Sequence, residues 1–178
     1  MKFIEQKLSG VFLIEPEPFI DDRGVFRRHF EQQEFTNIGI DAEVKQANVS
    51  ENNYAGTMRG FHYQISPYGE GKTLSCLKGN IYDIVLDLRP SSKTYLKWVS
   101  FELNENNRNS IHIPKGCANA FLTLKEDCII QYYCSGRYHS DAERGIRYND
   151  PLFKFNWPID IKVISDKDKN WPDFKLDK

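Results

Sequence analysis

Nowhere in the 178 residues do about 18 apolar side chains run together, the length a helix needs to cross a bilayer, and the opening Met1-Lys2-Phe3-Ile4-Glu5-Gln6-Lys7-Leu8 carries charges throughout instead of an apolar signal core. A cytoplasmic protein without a membrane partner is expected. Net charge is lacking too: 24 basic residues against 25 acidic ones leave a formal charge of −1, so no field draws the chain to nucleic acid or to an acidic surface. No CxxC pair occurs among Cys76, Cys117, Cys128 and Cys134, three of which lie inside apolar runs; buried free thiols are expected, not disulfides or metal ligands. There is no glycine-rich phosphate loop before a helix and no GxSxG elbow, which removes the usual nucleotide-loop and serine-hydrolase chemistries. Histidine is scarce, at positions 29, 62, 112 and 139, and the residues two before and two after His62 are Gly60 and Gln64, so the His-x-His pair of a metal-binding β-barrel is missing and no metal is expected.

What the chain has in quantity is short strand signals. Thr73–Leu77, Ile81–Leu88, Trp98–Leu103, Ser110–Ile113, Ala120–Leu124 and Cys128–Cys134 are β-branched or aromatic runs, several alternating with period two. Turn residues punctuate them: Lys78-Gly79-Asn80 reads as a tight hairpin, Arg89-Pro90-Ser91-Ser92 and Asn104-Glu105-Asn106-Asn107 as loops, Pro114-Lys115-Gly116 as a turn. Helical periodicity is confined to 31–36 and to a stretch starting at Ser165. With no repeat and no linker, a single all-β domain over 1–178 is expected, a sandwich, jelly roll or barrel with short peripheral helices.

His62 is the histidine set among residues that make a polar ligand site. An imidazole titrates near neutral pH and can move a proton; Arg59 offers a planar fork for phosphate, Tyr63 and Gln64 can hydrogen-bond, and Lys72 follows across a glycine-rich turn. Arg59 and His62 are three apart, which in a flat strand puts them on opposite faces. Gly60 between them suits a bulge that would bring them to one side.

Seven ordered segments carry a resemblance: Asp22-Arg23-Gly24-Val25-Phe26, Gln46-Ala47-Asn48-Val49-Ser50, Met58-Arg59-Gly60-Phe61-His62-Tyr63-Gln64, Gly71-Lys72, residues 79–89, Ile113-Pro114-Lys115-Gly116, and residues 142–151. From about Gly10 to Asp168 the chain resembles the dTDP-4-dehydrorhamnose 3,5-epimerase family. The resemblance implies a cupin-type jelly roll without metal or other cofactor, a homodimer formed by strand exchange, and a nucleoside-diphosphate 4-keto-6-deoxysugar as substrate. A ketone at C4 acidifies the hydrogens on C3 and C5, so inversion needs a base, an acid on the far face, and a group that stabilises oxygen charge. By resemblance His62 is the base, Asp168 the carboxylate that orients it with Asp166 as a nearby competitor, Tyr132 the opposing acid and Lys72 the cation facing the C4 oxygen. Arg23, Phe26, Gln46, Asn48, Arg59, Tyr138 and Glu143 match positions that hold the diphosphate, sugar and base.

Two departures stand out. Asn119 occupies the place of a family histidine; an amide can donate a hydrogen bond to an enolate oxygen but cannot exchange a proton near neutral pH, which raises an enzyme acting at C3 alone. Arg28 stands where the family commonly has Glu, and an Arg fork suits the O6 and N7 acceptors of guanine, which raises a GDP-linked sugar. A sugar 3,4-ketoisomerase and a binding module without catalysis are the neighbouring alternatives. Hexose and heptose substrates are equally compatible with the sequence.

Overall fold

The computed structural model describes residues 1–176. In chain order its elements are β1 (Lys2–Glu5), β2 (Phe12–Glu15), β3 (Phe19–Asp21), β4 (Gly24–Phe26), α1 (Gln32–Asn37), β5 (Gln46–Asn52), β6 (Thr57–Gln64), β7 (Lys72–Lys78), β8 (Asn80–Asp87), β9 (Trp98–Asn104), β10 (Ser110–Ile113), β11 (Cys117–Thr123), β12 (Cys128–Cys134), β13 (Glu143–Gly145), β14 (Val163–Ile164) and α2 (Asp166–Lys169). One sheet runs β1-β2-β10-β7-β12-β5 and a second runs β13-β6-β11-β8-β9, with β14 parallel to β6 and β3-β4 forming a separate ribbon. This is the expected all-β jelly roll of cupin type with short peripheral helices. No helix among the described residues is long and apolar enough to cross a membrane.

From β5 onward the chain passes from one sheet to the other at nearly every turn, so each strand's inward residues meet those of the opposite sheet. Leu74, Cys76, Ile81, Val85, Leu103, Ile111, Ile113, Cys128 and Ile130 form the layer between the sheets, each almost fully removed from water. A buried Leu or Ile of this kind contributes roughly 1.5–3 kcal/mol. The outer face of the second sheet is covered by the carboxy-terminal segment, where Phe153, Phe155 and Trp157 pack on Phe61 and Leu86. On the first sheet Phe30, Phe35 and Ile40 do the same. All four cysteines are buried and free.

One expected turn has a different form. Lys78-Gly79-Asn80 joins β7 in one sheet to β8 in the other, so it is a corner between layers and not a hairpin within one. Gly79 has φ +87°, and a Cβ there would stand 2.5 Å from Cys128 Sγ; only glycine lets the chain turn this tightly against β12.

The bulge expected at Gly60 is present. Asn119 pairs with His62 but Phe121 with Arg59, so that Ala120 alone on β11 lies opposite both Gly60 and Phe61 on β6. Gly60 has φ +108°, and a Cβ on it would lie 2.5 Å from the Asn119 carbonyl oxygen. The extra residue turns Arg59 to the side that His62 faces, and both line one cavity.

Candidate active site

His62 is positioned from behind. β14 lies alongside β6, and the chain then turns into α2, whose first turn is capped by the Ser165 hydroxyl accepting from the Asp168 N–H at 3.1 Å. The cap fixes Asp168, which is buried, with Oδ1 2.6 Å from His62 Nε2 and Oδ2 accepting from the Gly60 N–H at 3.1 Å. Burial pushes the Asp168 carboxyl up, but the His62 bond and charge, with the Gly60 and Ser165 bonds, outweigh it and hold it below its ordinary value. The carboxylate is therefore ionised beside the imidazole. Asp166, the competing candidate, is exposed on the other side of the turn and makes no bond to His62.

The cavity in front of His62 measures about 310 Å³ and includes Arg59, His62, Lys72, Asn119, Phe121 and Tyr132 in its lining. Its two walls come from the two sheets: His62 and Asn119 from β6 and β11, Lys72 and Tyr132 from β7 and β12. A ring bound between them would have an imidazole on one face and a phenol on the other. Burial, aided by nearby Cys134 and Glu70 and opposed by Arg59, raises the Tyr132 phenol above its usual range, so at neutral pH it carries its proton and can donate it. Arg59 Nε donates to Asn52 Oδ1 at 2.8 Å, which steers the guanidinium and leaves its terminal nitrogens for a ligand.

A neighbouring hollow, also touching His62, Lys72 and Tyr132, takes in Gln46, Asn48, Tyr138 and Glu143. Here the Tyr138 hydroxyl donates to Glu143 Oε2 at 2.6 Å, Lys167 pairs with the same carboxylate, and Gln46 Oε1 accepts from the Tyr138 N–H at 2.7 Å. Gln46 and Glu143 thus hold the exposed Tyr138 in place.

Arg23, Phe26 and Arg28 are not brought to His62 within one chain. They sit on or just after the β3–β4 ribbon, which pairs only with itself. Phe26 is 71% exposed, Arg23 pairs with Asp21, and Arg28 Nη1 lies 3.8 Å from Glu34 Oε1. They line two separate hollows with Phe19.

The Asn119 amide already has partners within the chain. Its Nδ2 donates to both oxygens of Asp83, at 2.8 Å each, and lies 3.3 Å from the Ile84 carbonyl oxygen. Asp83 escaped the sequence reading, although a carboxylate at an inward position of the apolar run Ile81–Leu88 was its signal. Glu70 escaped as well: it is partly buried, 3.7 Å from Lys72 Nζ, and one of its oxygens has no hydrogen-bond partner. Its spacing of two from Lys72 places both on one side of an extended chain. Among the described residues no group of three or more His, Cys, Asp and Glu is placed to hold a metal ion.

The model of the dTDP-4-dehydrorhamnose 3,5-epimerase family matches residues 5–176. The dTDP-4-dehydrorhamnose 3,5-epimerase of Methanothermobacter thermautotrophicus is 37% identical over 173 residues, covering 96% of this chain and 92% of that protein. Among solved structures, the Bacillus anthracis enzyme with TDP and PPi bound superposes with a TM-score of 0.94 at 34% identity, covering 97% of this chain and 99% of that one. A 3′-monoepimerase from Streptomyces bikiniensis in complex with dTDP-quinovose gives 0.88 at 30% identity, covering 95% and 86%.

Proposed function

We propose, for a chain that belongs to the dTDP-4-dehydrorhamnose 3,5-epimerase family, that it epimerises a nucleoside-diphosphate 4-keto-6-deoxysugar at C3, and at C5 as well, through an enolate. The observation that carries this is the His62–Asp168 pair at 2.6 Å facing Tyr132 and Lys72 across the cavity. In its neutral form His62 takes the proton from the carbon next to the ketone, and the Asp168 carboxylate stabilises the imidazolium that results. Charge moves to the C4 oxygen, where the Lys72 ammonium offsets it. Tyr132 then gives its proton to the opposite face of the carbon. His62 and Tyr132 have exchanged roles at the end, and proton exchange with solvent resets them.

Arg59 suits the diphosphate, with Gln46 and Asn48 at the sugar and Tyr138, braced by Glu143, against the base. A thymine nucleotide is the first candidate, supported by the TDP and dTDP ligands of the Bacillus and Streptomyces structures. A guanine nucleotide, suggested by Arg28, is the alternative, and matched dTDP- and GDP-sugars decide between them by relative turnover. Arg23, Phe26 and Arg28 would reach a ligand only across an interface, so we place the β3–β4 ribbon, with Phe19 62% and Phe26 71% exposed, against a second copy of the chain. The whole chain acts as one domain.

A specific observation favours a narrower reading, action at C3 alone: Asn119 cannot exchange a proton and its N–H groups are already engaged by Asp83 and Ile84. Solvent deuterium incorporation into a 4-keto-6-deoxysugar nucleotide, followed at C3 and C5 separately, tests both. Exchange at C3 is expected, and His62→Asn should lower it by about 10²–10⁴-fold. Absence of exchange at both carbons overturns the proposal.

A further inference from the structure

Asp83 lies on the inward side of β8, fully buried behind Asn119, which lines the sugar cavity. Its partners in register are apolar, Phe121 on β11 and Phe101 on β9. The charged and titratable groups that face it are few. Lys72 acts on it from β7; His62 and Arg59 on β6 lie beyond β11, and Tyr132 on β12 borders the same cavity. Among the described residues the Asn119 amide is the one group that hydrogen-bonds to it.

The Asn119 Nδ2 has two N–H bonds. The nitrogen lies 2.8 Å from each oxygen of Asp83 and 3.3 Å from the Ile84 carbonyl oxygen, acceptors enough for both bonds, so the carbonyl Oδ1 is the end of the amide left for the cavity that Asn119 lines. A proton on Asp83 reverses the requirement. A carboxyl O–H must donate, and the matching partner is then the amide oxygen, which turns the Nδ2 end toward the sugar. We propose that Asp83 is a positioning residue that decides which end of the Asn119 amide the substrate meets: the hydrogen-bond acceptor while Asp83 is ionised, the donor once Asp83 is protonated.

Burial pushes the Asp83 carboxyl up to about 7, against the Asn119 bond and the Lys72 charge, so both forms are populated at neutral pH. For the epimerase reading, on which this consequence rests, the acceptor form binds a sugar hydroxyl and leaves Lys72 alone at the enolate oxygen. The donor form adds a second hydrogen bond to that oxygen. Neither state makes Asn119 a proton carrier.

The direct test needs no substrate. In isotope-labelled, ligand-free protein the Asp83 carboxyl carbon and the Asn119 side-chain nitrogen are followed by NMR from about pH 5 to about pH 9, a range that spans the raised value. Both should shift with one shared midpoint near 7, and the Asn119 signal should stay flat in Asp83→Asn. An Asp83 carboxyl ionised throughout, or an Asn119 signal that ignores the titration, overturns the proposal. In the enzyme, the ratio of wild-type to Asp83→Asn exchange rates at C3 should change by about threefold or more between roughly pH 6 and pH 8; a ratio constant with pH is the mark of a merely structural carboxylate and also overturns it. Coincident NMR midpoints in a protein that exchanges no carbon-bound hydrogen would uphold the switch and defeat the epimerase reading, so the two fail separately.

Discussion

Asp83 and Asp87 stand four residues apart on β8, on the same inward side, and both are fully buried. Asp87 accepts from Arg89 Nε and Nη2 at 2.8 Å each, from the Arg89 N–H at 3.0 Å, and from the hydroxyls of Ser92 and Thr94 at 2.6 and 2.7 Å. Burial pushes its carboxyl up, but these donors and the guanidinium outweigh it and bring it down to about 2. Asp83 has one amide, and burial prevails at about 7. Desolvation is common to both, so the supply of donors separates them. Asp87 ties down the loop between β8 and β9, while Asp83, short of donors, sits behind Asn119 at the cavity wall, where a poised group is useful.

The largest effect should come from breaking the saturated end. Asp87→Ala leaves Arg89, Ser92 and Thr94 without their acceptor and should cost about 3–5 kcal/mol in urea unfolding. A loss as small as that of a surface substitution would mean the contrast does not lie in donor supply. Next is the dependence of stability on pH, where the two carboxylates have opposite signs. Asp83 has a folded value above the ordinary carboxylate near 3.9, so the folded chain binds more protons between about pH 4 and about 7 and this contribution to stability falls as pH rises through that window. Asp87, depressed to about 2, contributes stability that is full above the unfolded value and is lost as pH falls from about 4 toward 2. Urea unfolding of Asp83→Asn across about pH 4 to 7 should accordingly show a flatter profile than the parent, with a difference of the order of a few kcal/mol at the upper end. Equal slopes would show that Asp83 titrates normally. The smallest effect is the gentlest trim of the saturated end. Ser92→Ala removes a single donor and should cost about 0.5–1.5 kcal/mol, while the acid limb of the stability curve moves to slightly higher pH.

Much of the architecture was legible because the middle strands advertise themselves. Residues 73–134 carry β-branched and aromatic runs, several alternating with period two, between clear turns, and six strands fall there within a few residues of expectation. Strands β1 to β5 carry little signal of their own, since β1 to β4 span only three or four residues each and β5, Gln-Ala-Asn-Val-Ser-Glu-Asn, is a mostly polar edge strand whose fit depends on its neighbour β12. The corner at Gly79 looked like a hairpin because a glycine turn has the same local chemistry whether the next strand joins the same sheet or the opposite one. In the site, the Gly60 bulge was readable from the conflict between Arg59 and His62, whereas the tie between Asp166 and Asp168 was not, because two carboxylates in one helical turn differ only in which one faces β6.

The residue types of the site were determined by the sequence itself: an imidazole, a phenol, an ammonium and a carboxylate in family order, with an amide at Asn119 that no fold can turn into a proton carrier. Only the tertiary structure decided how they are used. It set His62 and Tyr132 on opposite walls, because β6 and β12 belong to different sheets. It also placed Asp83 behind Asn119, and since the polarity an amide presents depends on its partner, that neighbour decides whether the cavity meets a donor or an acceptor.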